Sequence, residues 1–526
     1  LLGAAALLAL GNAASRVLGL VREQTIAYYF GGTLKTDAFV AASRVPTMLY
    51  DLLVGGQLTA ALVPVLSSYV ATRRDELWRA ASVLFTAAAV VTGLATLAVY
   101  LLAAPIAQVL GEMPAGMAII EQSLRIIAPS VLIFGLAGMS TALIYALERF
   151  SYAAAAAAIY NAAFIVTLVA FQDRLDVYAL PLGVTLGGLA QLVLLGVGLR
   201  DARLRVVLAL RHPVLLRVIK LYLPIGLGLL VAQLQVIAAT RLAAKAGVGV
   251  LASLNYADRL IQFPQGFVAV AISLAILPTL AAAHARLDTD LFNRALARGL
   301  RLVLTLVLPA VAGLAVLATP VVGAVYQRGA FVDLTRLAVT LALLGYLIGL
   351  PFAALDLSLN NAFYARQNTL TPSLVGILSV GVYLVVAVMW GPVYNLGRLA
   401  DDRLIIGLAL ADSAKHISHA AIMLALVRSV AGRAALEGLG RTAAAATLAA
   451  ALMALVVAGL DHLLAPLVDA GTAAWLLRAT AGTVVGLLVY LPLAARLGVD
   501  EVRWIAELAR DRLRGGSELP VPPNAG

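Results

Sequence analysis

The 526-residue chain contains no cysteine, and charged residues make up only 12% of it. The first absence removes disulfides and thiolate metal sites, so neither redox chemistry nor an oxidising compartment can be argued. The second, set against 62% hydrophobic residues and a mean hydropathy of +0.97, excludes an ordinary soluble domain and points to a polytopic membrane protein. Histidine is scarce, five in all. Nothing resembles a nucleophile–base pair, a phosphate loop or a metal quartet, which argues against an enzyme and leaves no metal or other cofactor to expect. Acidic residues are outnumbered, 27 against 38 basic, for a net charge of +11. In a soluble protein that excess would point to nucleic acid; here the basic residues must first be placed relative to a membrane.

What is present is apolar sequence in long runs. Windows of about 20 apolar residues, the length needed to cross the hydrocarbon, give fourteen candidate spans, near 1–31, 36–70, 77–104, 116–148, 152–171, 177–199, 216–240, 247–283, 295–319, 334–365, 370–391, 404–427, 442–461 and 472–495. The first is too long, and too charged at its centre, for a signal-peptide core. An even count puts the C-terminus and the loops after even-numbered spans on one face. That face carries 23 Lys and Arg against 8 on the other, so the positive-inside rule makes it cytoplasmic, with both termini inside. Trp78, Trp390 and Trp475 fall at span ends, where indole rings favour the headgroup zone. Beyond the last span, residues 498–514 pattern as a short amphipathic helix on the cytoplasmic surface or in solvent, and 515–526 as a disordered tail.

The chain also echoes itself. Arg44 precedes Pro64 by twenty residues in span 2, and Arg259 precedes Pro278 by nineteen in span 8, each Pro opening a P-x-L element. If span 7 restarts the pattern of span 1, residues 1–200 form one six-helix lobe and 201–430 a second, with a cytoplasmic linker at 200–220 and the working site between the lobes. Residues 431–497 then add two C-terminal helices.

Seven basic residues fall within spans: Arg16, Arg22, Arg44, Arg125, Arg259, Lys415 and Arg478. An arginine at the bilayer centre costs about 2.5–3.5 kcal/mol on insertion scales, so each needs a carboxylate, water or an anionic ligand. Arg16 and Glu23 are seven apart on one helical face, while Arg22 points elsewhere; Glu23 is therefore expected to answer Arg16 and leave Arg22 for an anion. Asp37 and Asp258 are the other carboxylates near these arginines. Structural pairing within the bundle competes with a hydrated cationic cavity that binds phosphate, for which guanidinium offers bidentate geometry. In span 12, Asp412, Lys415, His416 and His419 share one face. No partner cluster supports a metal there; a proton or polar relay and a self-satisfied network are the two readings. Asp356 and Glu121 are isolated acids expected to be paired or facing water.

At these residues the chain resembles a known family. SRVLGLVRE, TDAFVAASRVP, LTAALVPVLSSY, RFSYAAAAAAIYN, NYADRLIQFPQG, LPTL, YQRGAF, GLPFAAL and FYARQNTLTP occur in order along most of its length, and are similar to the MurJ (MviN) lipid II flippases of the MOP exporter superfamily. The resemblance implies an all-α integral membrane fold of fourteen helices, two pseudo-symmetric six-helix lobes plus two C-terminal helices around a central cavity. It implies alternating access that moves an undecaprenyl-pyrophosphate-linked peptidoglycan precursor across the bacterial cytoplasmic membrane, with the lipid tail held at 431–497. Carried over by position, the headgroup site is Arg16, Arg22 and Arg259, with Ser15 beside them and Asp37 as acidic companion. Glu23, Arg44, Tyr50, Asp258, Gln262 and Lys415 are supporting candidates, and Asp412, His416 and His419 a proton or polar relay.

The chain departs from the family pattern at Tyr50 and Asp51, where the family carries two arginines, at Val54 to Gln57, where it carries AEGA, and at Gln262, where an acid is usual. Residues 223–244 and 369–391 contain no Asp, Glu or Asn, so the sodium site of some relatives is not expected. The expected partners are lipid II or a related polyprenyl-pyrophosphate glycolipid, membrane lipids and cell-wall synthesis proteins, with no nucleic acid. The alternatives are a flippase for another polyprenyl-linked glycan and a non-transporting scaffold for wall synthesis. A drug exporter of cations would favour carboxylates over arginines in its cavity.

Overall fold

A computed structural model of the chain describes residues 2–53, 62–63, 65–70, 74–209, 211–389, 402–467, 471–504 and 507. Val54 to Gln57, Pro64, Trp390 and the 515–526 tail lie outside them, as does most of 505–514. The described residues are helical almost throughout and include no strand. That follows from the composition: hydrocarbon offers no water to backbone N–H and C=O groups, and a helix satisfies them within one segment.

The helices are α1 (Leu2–Phe30), α2 (Leu34–Leu53), α3 (Arg74–Leu101), α4 (Ala103–Leu110), α5 (Pro114–Ile127), α6 (Pro129–Ala146), α7 (Phe150–Leu175), α8 (Ala179–Gly198), α9 (Pro213–Ala246) and α10 (Val250–Pro264). They continue with α11 (Val270–Ala285), α12 (Thr289–Val316), α13 (Ala318–Tyr326), α14 (Asp333–Ala365), α15 (Leu370–Met389), α16 (Asp402–Ala431), α17 (Leu439–Leu464) and α18 (Thr472–Arg496). Ten stretches among the described residues are long and apolar enough to cross a membrane. In that count α7 with α8, and α10 with α11, run on as single stretches; α2 and α16 fall short because of the charged and histidine side chains they carry. This is a multi-pass, all-α membrane protein. Prolines open several helices where a missing N–H costs nothing, as at Pro114, Pro129 and Pro213. Asp288 caps α12 by accepting the Leu291 N–H at 2.8 Å.

The chain divides into two compact units, residues 1–252 with 328–332, and 253–327 with 333–526. In the first, α1 lies against α7 and α7 against α8 through small residues. A Cβ on Gly11 would meet the Ala154 carbonyl at 2.3 Å, and one on Gly187 the Tyr160 carbonyl at 2.9 Å. Between helices lipid tails are as apolar as leucine, so close backbone approach replaces the hydrophobic drive to associate. The segment after α8 has no strand partner and is pinned to α3 by Ser82 and Thr86, which accept the N–H groups of Arg205 and Val207. Nearby, Arg149 grips Asp201 through both guanidinium nitrogens and donates to the Gly198 carbonyl at 2.7 Å. Those hydrogen bonds hold the Asp201 carboxyl at about 2, so this loop pair stays ionised at any pH above that.

In the second unit, α14 and α16 are in the closest register. Cβ atoms on Gly345 and Gly349 would fall 2.6 Å from the Ala409 Cβ and the Ser413 Cα, and the Ser413 hydroxyl donates to the Gly345 carbonyl at 2.7 Å. Past α18, Val499 and Val502 are buried in the core made by Met453, Val457 and Tyr490. Glu501 accepts from Arg301 Nε at 2.6 Å, and Trp504 lies under the Arg298 guanidinium at 4.2 Å. The described start of the predicted 498–514 amphipathic segment therefore uses its apolar face on the protein.

Substituting Gly349 by leucine should overpack the α14–α16 crossing and destabilise the unit by about 1–3 kcal/mol or more. Gly459, with nothing within 4 Å of an added Cβ, should accept alanine without loss. Thermal unfolding of both variants in detergent reads the difference.

Candidate functional site

The first unit holds half of the candidate site residues singled out from the sequence. Arg22, on α1, donates from Nη2 to Glu23 Oε1 at 2.7 Å and from Nη1 to Asn161 Oδ1 at 3.2 Å. Its guanidinium lies 5.5 Å from the ring centre of Phe164 and 5.9 Å from that of Tyr160, both on α7. Glu23 is buried and Arg22 half-buried. Arg22 was expected to be the arginine left for an anion; instead it is engaged by Glu23, because α7 brings Asn161 and two aromatic faces to the side of α1 where Arg22 points. Its Nε is buried and makes no hydrogen bond. Asn161 also donates to the Ser15 carbonyl at 3.3 Å, joining the start and end of the Ser15-to-Glu23 stretch to one helix. Sequence reasoning did not assign Asn161, although it closes the quoted RFSYAAAAAAIYN motif. A polar amide after six alanines was the available signal.

Tyr50 departs from a charged family position in an apolar way. Its ring meets Phe134 edge-on at 5.9 Å, and Phe134 meets Tyr160 at 5.8 Å, so an aromatic series leads from α2 to the Arg22 site. Arg44 donates to the Thr240 hydroxyl of α9.

Asp37 takes a role the sequence did not assign. Oδ2 accepts the N–H of Gly249 and Oδ1 that of Ala252, at 2.5 and 2.7 Å. These are donors at the start of α10, the helix that carries Arg259. A carboxylate there satisfies orphan amides and complements the positive end of the helix dipole. The approach is close: Gly249 has φ +82°, and a Cβ on it would lie 2.5 Å from the Gly32 carbonyl. Asp37 thus acts through α10 as a positioning residue.

In the second unit, Asp258, Arg259 and Gln262 form one polar turn of α10. Gln262 donates to Asp258 Oδ2 at 2.7 Å and accepts from Arg259 Nη1 at 3.4 Å. The amide at the family's acidic position thereby bridges a cation and an anion. A five-residue π-helical turn, Gln265–Ala269, follows Pro264 and shifts the register between α10 and α11. Lys415 pairs with Asp412 at 2.6 Å, and His416 and His419 both approach Asp356 of α14. Glu121 pairs with Arg125 at 2.7 Å, as expected of an intramembrane acid. Arg478 of α18 is held bidentate by Asp461 of α17, both contacts 2.7 Å, and stacks on Trp475. Among the described residues no three His, Asp or Glu converge as a metal site would.

Each of the two compact helical units carries an arginine set among polar partners, Arg22 with Glu23 and Asn161 and Arg259 with Gln262. The family profile described as "Lipid II flippase MurJ" matches residues 26–478. The chain belongs to the MurJ family of lipid II flippases. A relative from Burkholderia cenocepacia, named "Lipid II flippase MurJ", is 32% identical over 376 residues, covering 69% of this chain and 73% of that one. Among solved structures, one titled "Lipid II flippase MurJ, inward closed conformation" superposes with a TM-score of 0.76 at 21% identity, over 93% of this chain and 98% of the other. An inward-facing multidrug MATE transporter of the MOP superfamily gives 0.64 at 13% identity, over 79% and 95%. The MurJ and MATE likenesses together carry the MOP fold, and MurJ membership is that of a transporter family.

The role of Asp37 can be separated from substrate contact by stability alone. Asp37→Ala should leave buried amides of α10 without acceptors, at about 1–3 kcal/mol, and Asp37→Asn should recover part of that loss. Equal melting temperatures for wild type and Asp37→Ala in detergent would contradict the assignment.

Proposed function

We propose that this chain is a lipid II flippase of the bacterial inner membrane, with both termini cytoplasmic. In this reading it moves the polyprenyl-pyrophosphate-linked precursor from the inner to the outer leaflet. Residues 1–200 and 201–430 act as two lobes, and 431–497 receive the lipid tail. The observation that carries the reading is the arrangement around Arg22: a cation set in an apolar span, half-buried, and oriented by Glu23, Asn161 and two ring faces. A diphosphate supplies the acceptors and the bidentate geometry such a group prefers. Arg16 and Arg259 complete the set, and Ser15 lies beside Arg16.

Transport requires that substrate bind the two access states unequally. In this reading the guanidinium groups of Arg22 and Arg259 each hold phosphate oxygens more strongly in one access state than in the other. No bond is made or broken in this cycle, so no catalytic residue is assigned.

Tyr50, Asp51 and Gln262, which stand where relatives carry charges, favour a second reading in which the headgroup is a different polyprenyl-linked glycan. Native mass spectrometry of the purified protein separates the two by the mass of the lipid-linked sugar that co-purifies.

In proteoliposomes with labelled lipid II, Arg22→Ala and Arg259→Ala should each lower translocation by about tenfold or more, the scale of one lost charge-assisted contact. Lysine at either site should restore only part, because it lacks the planar fork. Folded variants that transport at the wild-type rate would overturn the reading.

A further inference from the structure

The close crossing of α14 and α16 sets more than packing. The face of α14 that carries Gly345 and Gly349 continues to Asp356, and the face of α16 that carries Ala409 and Ser413 continues to Asp412, Lys415, His416 and His419. Asp356, only 7% exposed, presents Oδ1 to His419 Nδ1 at 2.8 Å and Oδ2 to His416 Nδ1 at 3.3 Å. On its other side His416 turns Nε2 toward Asp412 Oδ2 at 3.7 Å, while Lys415 Nζ holds Asp412 Oδ1 at 2.6 Å.

The atom types decide what this arrangement lacks. An ionised carboxylate only accepts hydrogen bonds, so both Nδ1 atoms must carry hydrogen to meet Asp356. With neutral rings, each Nε2 is then an acceptor, and in His416 that acceptor faces a second carboxylate oxygen. Two carboxylates and one ammonium also leave the group with one net negative charge. Adding a single proton at His416 Nε2 turns the facing acceptor into a donor and brings the group to neutrality. Net charge in a membrane interior is costly and paired charge less so, and imidazole is the side chain that takes a proton near neutral pH. His416, with a side chain 28% exposed against 11% for His419, is the member a proton can reach.

Other charged and titratable groups lie on the elements packed around the cluster. α14 also carries Asp333, Arg336, Tyr346 and Tyr364, and α16 Asp402, Arg403 and Arg428; α15 carries only Tyr383, and α13 only Tyr326. Arg433 follows α16, His284 ends α11, and Asp290, Arg294, Arg298 and Arg301 occupy the first half of α12.

We propose that Asp356, His416 and His419, with the Asp412–Lys415 pair beside them, form a one-proton binding site within the second unit, and that loading and emptying it couples a proton to the transport cycle. The coupling rests on the flippase reading above; the site itself does not.

Two measurements on the full chain test the parts separately. In lipid nanodiscs, histidine-selective NMR between about pH 5 and 8 should show one proton taken up within the cluster. That uptake should vanish in His416→Gln and in Asp356→Asn, and persist in His284→Gln. In proteoliposomes at zero membrane potential, an imposed pH gradient should change the rate of labelled lipid II translocation at least about threefold, and His416→Gln should remove that response. Unchanged uptake in both cluster variants overturns the site, and a wild-type rate indifferent to the gradient overturns the coupling. Liposomes that do not translocate lipid II at all defeat the flippase reading, while the NMR titration still decides the site. If His416→Gln does not fold, His419→Gln and Asp356→Asn carry the same comparison.

Discussion

A charge placed inside hydrocarbon must be answered within the protein or by a ligand, because the surrounding medium offers neither water nor counterion. The described residues meet that requirement in distinct ways. Arg478 and Asp461 close a bidentate pair, and Glu121 and Arg125 pair along one helix face. Arg22 is answered only in part by charge, through Glu23, and otherwise by an amide oxygen and two ring faces. A bidentate pair saturates both partners, whereas Arg22 meets Glu23 through Nη2 and is oriented besides by an amide oxygen and two ring faces.

The same requirement shapes the helices that carry the charges. Small residues let α1, α7 and α8 approach closely in the first unit, and α14 and α16 in the second. Close approach fixes axial register, and register decides which polar side chains meet. A shift of one residue at the Gly349–Ser413 contact would rotate Asp356 by about 100° away from the two histidines. Packing with small residues and polar chemistry are therefore one device here. Asp37 extends it: by holding the first amides of α10, it fixes where that helix starts, and so where Arg259 falls along it.

Much of this was legible in the sequence. Apolar runs and scarce charge specify an all-helical membrane protein whatever its tertiary arrangement, since the bilayer imposes those features on each segment separately. Motifs such as NYADRLIQFPQG marked the family and pointed to Arg16, Arg22 and Arg259. The spacing on α16 placed Asp412, Lys415, His416 and His419 on one face. Partnership was not legible. Glu23 sits seven residues from Arg16 on the same face, and its Oε1 accepts from Arg22, beside which Asn161, Tyr160 and Phe164 arrive from a helix some 140 residues away.

The sequence by itself determined that the chain is a multi-pass helical membrane protein, which charges lie within its apolar runs and which family it joins. These are properties of one helix at a time, governed by hydrophobic length and helical period. Only the tertiary structure decided that Asp37 caps α10, that Asn161 completes the Arg22 site and that Asp356 binds two histidines of another helix. Each of those depends on contacts between residues distant in the chain, and helix crossings set by glycine, alanine and serine leave no periodic signal from which the partner could be read.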